Sequence, residues 1–465
     1  MACSLPDNLI DQLRKNFPGN NLLLEAADCW TYGYDNSKIH HPPDAVVLPV
    51  NHHQVVSCIS LCNQFSIPLT TRGRGTGTTG ASVPVSGGIV MSLERMDKIL
   101  GCDIGNRSVH VQAGVTNLDL QNYLKEKNFF WPPDPSSAEF CTIGGNLACN
   151  AAGPRAIKYG TTRDNTLRLK AVTGYGETIN TGSKTTKGVV GLDLTRLIIG
   201  SEGTLAVITE AELKITPLAP EKNTLRALYK NHQAACDAIQ SIGSQLHPPC
   251  AIEFMDHHAI DLIRTHSEVS LPSNSRAMLM IEIDGDSESL PISTDKIEQA
   301  LLNNGLIEIQ HAKTGIEKKA LWQARKELSP ILRNLAPNKI NEDVVVPVPN
   351  LSKLINALDE LSSTFKLPIV NFGHAGNGNL HVNIIYDAED ATQNQNALNC
   401  LGKIFEKVLD LDGTISGEHG IGVSKRDHVS KEIGSQELEL MRKIKSQFDP
   451  NLILNPNKSL PAAKS

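Results

Sequence analysis

A glycine-rich loop between two predicted strands is the feature that most restricts the fold of this chain. Residues 71–80 read Thr-Arg-Gly-Arg-Gly-Thr-Gly-Thr-Thr-Gly and contain the spacing Gly-x-Gly-x-x-Gly from Gly75 onward. In a Rossmann unit this spacing opens a helix whose N-terminus faces the pyrophosphate. Here residues 81–84 lead into a second strand at 88–93. The Rossmann fold is therefore excluded, and the lack of Gly-Lys-Ser/Thr excludes a Walker loop.

A loop of this kind between strands can still bind an anion. Its successive backbone N–H groups form a concave nest suited to a diphosphate, and Arg72 and Arg74 add positive charge. The alternative is a glycine-rich turn without a ligand, since the chain contains 35 glycines. Two further loops favour a ligand. Residues 141–155 are too rich in glycine and small side chains for a core helix and resemble backbone laid against a flat ligand, and residues 198–209 form the third such loop.

The order of predicted elements divides the chain into segments. Residues 1–41 read as a helical segment, and residues 42–220 as an α/β module that carries the three glycine-rich loops. Pro217 and Pro220 mark its end. Residues 221–410 alternate helices and strands in a way that suits an antiparallel sheet covered by helices. Residues 411–465 read as helical and are expected to return to the first module.

A second glycine-rich stretch carries the chemistry of the middle segment. Strands predicted at 367–371 and 380–386 flank a turn with three glycines, so we expect a hairpin with His374 and His381 on its two sides. Another glycine-bracketed turn, residues 416–422, offers Glu418 and His419. Two histidines and a carboxylate form an open coordination set for a divalent metal that also binds substrate. The alternative is a set of hydrogen-bonded polar residues in a turn.

Composition limits the partners and the compartment. A net charge of -6 without a basic run and an aromatic content of 4% argue against a nucleic-acid partner. No apolar run reaches the length of a membrane span, and the first residues lack a signal-peptide core. The ten cysteines include no Cys-x-x-Cys, which excludes an iron–sulfur cluster of ordinary spacing and suits a reducing compartment. We expect a cytoplasmic protein, with peripheral attachment to the inner face of the membrane left open.

These motifs resemble those of FAD-binding oxidoreductases of the vanillyl-alcohol-oxidase type, which have the para-cresol-methylhydroxylase fold. The resemblance covers nearly the whole chain and is strongest to the D-2-hydroxy-acid dehydrogenases: D-lactate dehydrogenase, the glycolate oxidase flavin subunit and D-2-hydroxyglutarate dehydrogenase. It rests on the motifs at residues 72–77, 200–205, 373–381 and 417–420. It implies an α+β protein with a FAD-binding domain, an antiparallel-sheet cap domain and C-terminal helices.

The resemblance also implies roles for single residues. It places metal ligands at His374, His381 and Glu418, with zinc expected rather than manganese, and a catalytic base at His419. FAD should be non-covalent, because residues 71–82 offer no tether. The implied substrate-binding residues are Arg325, Lys339 and Asn383. The implied FAD-binding residues are Arg72, Gly73, Arg74, Gly75, Thr76, Gly77, Thr78, Pro133, Asp134, Thr142, Gly144, Gly145, Asn146, Gly153, Glu202, Gly203, Val207, Ile208 and Asn455.

Two positions depart from the family pattern. Asn377 stands where the family usually has Asp, which removes a carboxylate that could orient a ligating histidine. Asn457 stands in place of the Gly of Asn-Pro-Gly-Lys, and Asn tolerates positive φ better than most residues. We therefore expect both sites to be retained.

The predicted reaction is the oxidation of a D-2-hydroxy acid, of the D-lactate, glycolate or D-2-hydroxyglutarate type, to the 2-oxo acid. The 2-hydroxy acid chelates the metal through its hydroxyl and one carboxylate oxygen, His419 takes the hydroxyl proton, and hydride passes to the flavin. Electrons then pass to a separate acceptor, which is a quinone, a cytochrome or an electron-transfer flavoprotein. An oxygen-using oxidase, a catalytically silent FAD-binding subunit and a metallohydrolase are the alternatives, and a homodimer is left open.

Overall fold

The computed structural model describes residues 5–267, 270–312 and 314–462, without the side chains of residues 324 and 326. The chain forms two compact units. Unit 1 comprises residues 1–152, 160–218 and 418–465, and unit 2 comprises residues 153–159 and 219–417. Both units are therefore built from separate pieces of the sequence.

Helices and strands alternate along most of the chain. The α-helices are α1 (Asp7–Asn16), α2 (Ala26–Trp30), α3 (His52–Phe65), α4 (Asn117–Lys125), α5 (Ile143–Cys149), α6 (Ala156–Tyr159), α7 (Leu194–Ile198), α8 (His232–Gly243), α9 (His257–His266), α10 (Ser289–Leu301), α11 (Gly315–Ile331), α12 (Leu351–Phe365), α13 (Ala391–Asp410), α14 (Val429–Glu432) and α15 (Ser435–Phe448). The strands are β1 (Leu22–Leu23), β2 (Ala45–Val47), β3 (Leu69–Arg72), β4 (Ile89–Ser92), β5 (Ile99–Asp103), β6 (Ser108–Gln112), β7 (Phe129–Phe130), β8 (Thr166–Thr173), β9 (Thr178–Gly182), β10 (Ala206–Lys214), β11 (Thr216–Pro217), β12 (Glu221–Tyr229), β13 (Ala251–Met255), β14 (Ala277–Gly285), β15 (Leu306–Ala312), β16 (Asn338–Val345), β17 (Ile369–Gly373) and β18 (Asn379–Tyr386).

Unit 1 contains two larger sheets. The first has the order β1-β2-β4-β3, in which β2, β4 and β3 are parallel and β1 is antiparallel at the edge. The helix α3 connects β2 to β3; Asn51 caps its N-terminus by accepting from the N–H of Gln54, and its face with Val55 and Ile59 is fully buried. The second sheet is antiparallel, with the order β5-β6-β10-β8-β9.

The glycine-rich loop connects strands and opens no helix. It begins at the end of β3, and the next strand, β4, pairs with β3 in parallel. The exclusion of a Rossmann unit on this ground is confirmed.

The prediction that residues 141–155 contain no core helix was wrong. Residues 143–149 form the helix α5, which Thr142 caps by accepting from the N–H of Gly145 at 3.2 Å. A Cβ on Gly144 would stand 2.8 Å from the Cβ of Ala113. The small residues thus do not prevent the helix; they let its backbone pack directly against another backbone segment.

The C-terminal segment is helical only in part. After α14 and α15 the chain continues through a series of turns and passes beside β3. There the N–H of Leu69 donates to Ile453 O and the N–H of Asn455 donates to Leu69 O, both at 2.8 Å. Asn457 adopts a positive φ of 62°, as its replacement of glycine requires. The last segment therefore completes unit 1, at the edge of the strand that carries the glycine-rich loop.

Unit 2 is built on one antiparallel sheet with the order β15-β12-β14-β13-β17-β18-β16. The predicted antiparallel sheet of the middle segment is confirmed. Its central strands are almost fully buried, and apolar side chains of α9 and α11 pack on it. The short α6 belongs to this unit because Lys158 and Tyr159 both donate to Asp284 at the end of β14.

Candidate active site

A cleft in unit 1 is lined by the glycine-rich loop after β3. It is also lined by Thr142 at the start of α5, by Glu202 and Gly203 in a turn, and by Asn455 of the C-terminal segment. The residues of the predicted FAD set that line it are Arg72, Gly73, Arg74, Gly75, Thr76, Gly77, Thr78, Thr142, Gly144, Gly145, Asn146, Glu202, Gly203, Ile208 and Asn455.

Four residues of the predicted FAD set lie elsewhere. Pro133 and Asp134 do not line the cleft, although Pro135 and Ser136 immediately after them do. Val207 is fully buried in the core of unit 1. Gly153 belongs to unit 2, at the start of the segment that contains α6.

The cleft has the features that a diphosphate and a flat ring system require. A Cβ on Gly77 would come no nearer than 3.9 Å to any atom, so the loop backbone stands open to a ligand there. Thr71 lines the cleft, and its hydroxyl is shielded from solvent and has no hydrogen-bond partner among the described residues. A buried hydroxyl without a partner is costly, and a bound polar ligand would remove that cost. The residues present therefore fit FAD.

Arg72 braces the loop and does not project over it. Its guanidinium donates to the carbonyls of Tyr34, at 2.5 Å, and Thr31, and a Cβ on Gly75 would overlap it. Gly75 has a φ of 67°, which favours glycine for a second reason. Arg74 is half-exposed and lies 3.6 Å from Glu94. Arg72 and Arg74 therefore hold the conformation of the loop and also contribute positive electrostatic potential.

Glu202 connects two loops of unit 1. It is buried, and its carboxylate accepts from the N–H groups of Ile421 (2.6 Å) and Gly422 (2.9 Å) and from the Ser459 hydroxyl. Burial raises the pKa of Glu202, and these hydrogen bonds oppose that shift in part. The residue predicted to touch FAD therefore also fixes the turn that follows His419.

Glu418 and His419 line the same cleft as the glycine-rich loop. The His419 carbonyl accepts from the hydroxyl of Thr79 at 3.4 Å, and its Nε2 lies 3.9 Å from a carboxylate oxygen of Glu418. Both side chains are mostly shielded from solvent. An acid–base side chain and a carboxylate therefore stand beside the predicted flavin position.

In unit 2, the predicted hairpin is formed by β17 and β18. His374 directly follows the first strand and His381 lies in the second, and their imidazole rings are perpendicular with centroids 5.2 Å apart. Their nearest ligand atoms come within 4.8 Å, so one cation can reach both. The spacing of the two histidines thus produces the pair that the sequence predicts.

Glu253 on β13 is the partner of His374, and sequence reasoning missed it. Its side chain is 1% exposed; one carboxylate oxygen bonds His374 Nδ1 and the other accepts from Arg325 Nε at 2.7 Å. Burial raises the pKa of Glu253, but the charges of His374 and Arg325 outweigh it and lower the pKa to about 2. With Nδ1 held by this carboxylate, His374 presents Nε2 to a ligand.

The three predicted substrate-binding residues have different surroundings. Arg325 pairs with Glu253, and its guanidinium carbon lies 4.5 Å from the centre of the Phe372 ring. Lys339 donates to the Ser329 hydroxyl at 2.7 Å. Asn383 is fully buried, accepts from Asn341 and donates to two backbone carbonyls, so its amide holds the sheet together.

Asp343 holds the chain just before Glu418. It lies opposite His381 in the register of β16 and β18 and is fully buried. Its carboxylate accepts from Asn379 Nδ2 at 2.6 Å and from the N–H of Gly417 at 2.8 Å. The last residue of unit 2 is therefore fixed beside the strand that carries His381.

Several lining residues of the cleft were not predicted from the sequence. Asp35 and Asn36 come from the N-terminal segment, where the N–H of Asn36 donates to Gly77 O at 2.8 Å. Cys141 lies just before α5, and Cys149 is its last residue. The run Asp35-Asn36-Ser37 is a local turn signal, since Asp35 accepts from the N–H of Ser37, but nothing near it indicated a ligand.

Comparisons with known proteins identify relatives along the whole chain. A family model described as "FAD linked oxidases, C-terminal domain" matches residues 218–459, and one described as "FAD binding domain" matches residues 43–182. The chain is 37% identical to glycolate oxidase subunit GlcD of Bacillus subtilis, covering 92% of this chain and 91% of that protein. It is 34% identical to D-lactate dehydrogenase of Anaerostipes hadrus, covering 90% and 89%.

Structural similarity supports the same fold. The crystal structure of p-cresol methylhydroxylase with substrate bound superposes with a TM-score of 0.82 at 16% identity, covering 98% of this chain and 97% of that one. The α+β fold with a FAD-binding domain is confirmed. Within the described residues, no helix combines the length and apolar character needed to cross a bilayer.

Proposed function

Because the chain belongs to the family of FAD-linked oxidases, we propose that this FAD-dependent oxidoreductase oxidises a D-2-hydroxy acid to the 2-oxo acid. The substrate is of the D-lactate, glycolate or D-2-hydroxyglutarate type. The names of the relatives support this class: glycolate and D-lactate are both short 2-hydroxy acids.

The observation that carries the proposal is the position of His419. Its side chain lines the cleft of the glycine-rich loop, next to Glu418 and within the same unit. A silent FAD-binding subunit needs the loop but no base beside it. A metallohydrolase needs ligating residues but no glycine-rich cleft with an open backbone. It also has no need of the buried Thr71 hydroxyl, which has no hydrogen-bond partner in the described part of the chain.

In the proposed mechanism, the residues of this chain bind the acid and move one proton. His419 accepts the proton of the substrate hydroxyl as the carbonyl forms, which requires a neutral imidazole. Arg325 has donors beyond the one that Glu253 uses, and these can bind the substrate carboxylate. FAD, when bound, supplies the two-electron acceptor that takes the hydride from Cα. The bonds broken are therefore Cα–H and O–H, and the products are the 2-oxo acid, a proton on His419 and reduced cofactor.

We also propose that His374, His381 and Glu418 hold a divalent metal, zinc rather than manganese. Within unit 2 both imidazoles can bind one cation, and Glu253 orients the ring of His374. Glu418 follows Gly417, which Asp343 fixes beside the strand of His381. When bound, the metal would polarise the substrate hydroxyl and lower its pKa.

The decisive experiment is a panel of D- and L-2-hydroxy acids assayed with an artificial redox dye. We expect turnover of one or more short D-acids and little turnover of their L-enantiomers. The same panel under oxygen without dye separates a dehydrogenase from an oxidase through hydrogen peroxide release. A flavin that no 2-hydroxy acid reduces in a single turnover would contradict the proposal, whatever the electron acceptor.

A further inference from the structure

Unit 2 contains a second group of metal-ligating side chains, separate from the hairpin of His374 and His381. His257 and His258 begin α9, and Asp359 lies in the middle of α12. One ligand atom from each of the three lies within 4.8 Å of the other two. All three side chains are partly buried, so they are positioned by the fold and still open to ions from solution.

The two histidines point the same way, which neighbouring helix residues seldom do. Successive side chains in an α-helix are turned by about 100° from one another. Here the two imidazole rings lie side by side, with centroids 3.9 Å apart and planes inclined by 37°. Both rings are therefore directed towards α12 and its Asp359.

The helices that carry these ligands are anchored at this point. Asp256 caps α9 by accepting from the N–H of Ala259 at 2.8 Å, and the same carboxylate accepts from the N–H of Asn371 in β17 at 2.7 Å. On α12, Leu358 beside Asp359 is fully buried. A cation would therefore find ligands that are largely pre-arranged.

We propose that His257, His258 and Asp359 form a binding site for a late first-row divalent cation such as Zn²⁺. Bond lengths of about 2.0–2.2 Å in a tetrahedral site put ligand atoms about 3.4 Å apart, so the side chains must close by at most about 1.5 Å. Two imidazoles with one carboxylate favour zinc, nickel, cobalt or copper over calcium and magnesium. Water completes the coordination at the open side.

The bound cation would join the first turn of α9 to α12. Both helices contact β17, the strand that leads into His374. The site would thus be structural: it adds a link between two helices and stabilises unit 2 without taking part in the reaction.

Zinc binding should be counted in FAD-containing protein that carries His374→Ala and His381→Ala. This background removes the proposed catalytic metal, so the result does not depend on the proposed function. Equilibrium dialysis against about 10 μM zinc, followed by elemental analysis, should find about one equivalent bound, with a rise in melting temperature of a few degrees. Adding His258→Ala, or the isosteric Asp359→Asn, should weaken zinc binding at least about tenfold and abolish the rise in melting temperature.

His266→Ala is the matched control, because this exposed histidine lies at the other end of α9. It should bind zinc as the background does. Two results would overturn the proposal: no stoichiometric uptake by the background protein, or unchanged zinc binding in both His258→Ala and Asp359→Asn. FAD content and far-ultraviolet circular dichroism, measured on the same samples, establish that each variant is folded.

Discussion

Replacing the buried carboxylate of Glu253 with an amide should destabilise unit 2 markedly. Glu253→Gln keeps the shape of the side chain but removes the charge that pairs with Arg325 and holds His374. The pKa of Glu253 falls from an ordinary 4.5 to about 2 in the folded chain, a difference that corresponds to about 3 kcal/mol. Breaking one side of a buried ion pair typically costs 3–5 kcal/mol, which gives the same magnitude.

The pH dependence of this contribution has a definite sign. Because the folded-state pKa is the lower one, the stabilisation is fully present above about pH 4.5 and is lost as the pH falls towards about 2. The difference in the free energy of unfolding between the parent and Glu253→Gln should therefore be about 3 kcal/mol at pH 7. At pH 4 this difference should be smaller by about 1 kcal/mol.

The urea unfolding of unit 2 can be monitored separately by tryptophan fluorescence. Trp322 is the single tryptophan in the sequence of unit 2, so Trp30→Phe and Trp131→Phe leave its fluorescence as the only tryptophan signal. Glu406→Gln is the control, since it breaks an exposed pair with Lys403 and should change nothing measurable. If the free energy of unfolding of Glu253→Gln is within about 0.5 kcal/mol of the parent value at pH 7, the ion pairs of Glu253 do not stabilise unit 2 as predicted.

The remaining predictions concern the site. His419→Ala should keep FAD and slow single-turnover flavin reduction by about two to four orders of magnitude, and a rate equal to the parent would remove His419 as the base. Chelation, His374→Ala or His381→Ala should abolish dye reduction with an unchanged flavin spectrum; full activity in metal-free protein would contradict the metal assignment. Acid precipitation should release FAD into the supernatant, and flavin that stays in the pellet would show a covalent link. Gly420→Ala should lower kcat because its Cβ would stand 2.0 Å from a Glu202 oxygen, whereas Gly402→Ala in α13, where a Cβ meets nothing within 4 Å, should leave kcat unchanged.

The parts of the fold set by local spacing could be predicted. Glycines between apolar runs identified the loop after β3 and the hairpin of His374 and His381, because turn geometry depends on neighbouring residues. The helix α5 was missed because its small residues were assigned to ligand contact. They are small because Ala113, some 30 residues earlier, packs against the helix backbone.

The roles of buried carboxylates could not be predicted, because their partners lie far away in the sequence. Asn377 indicated only that a carboxylate able to orient a ligating histidine is missing from the turn. The carboxylate that bonds His374 comes from Glu253, 121 residues earlier. Glu202 was assigned to FAD from its motif, yet its oxygens bind the turn at Ile421 and Gly422. Only the folded chain brings such pairs together.

The segment after α15 also affects the order in which the two units can be completed during synthesis. Asn455 lines the cleft, donates to Leu69 O through its backbone and accepts from the N–H of Thr71 through its side chain at 3.0 Å. The strand that carries the glycine-rich loop is thus completed by residues that follow all of unit 2 in the sequence. All of unit 2 is translated before these residues and can fold first. A chain that stalls before Asn455 would therefore contain all of unit 2 and an incomplete cleft, so it should not retain FAD.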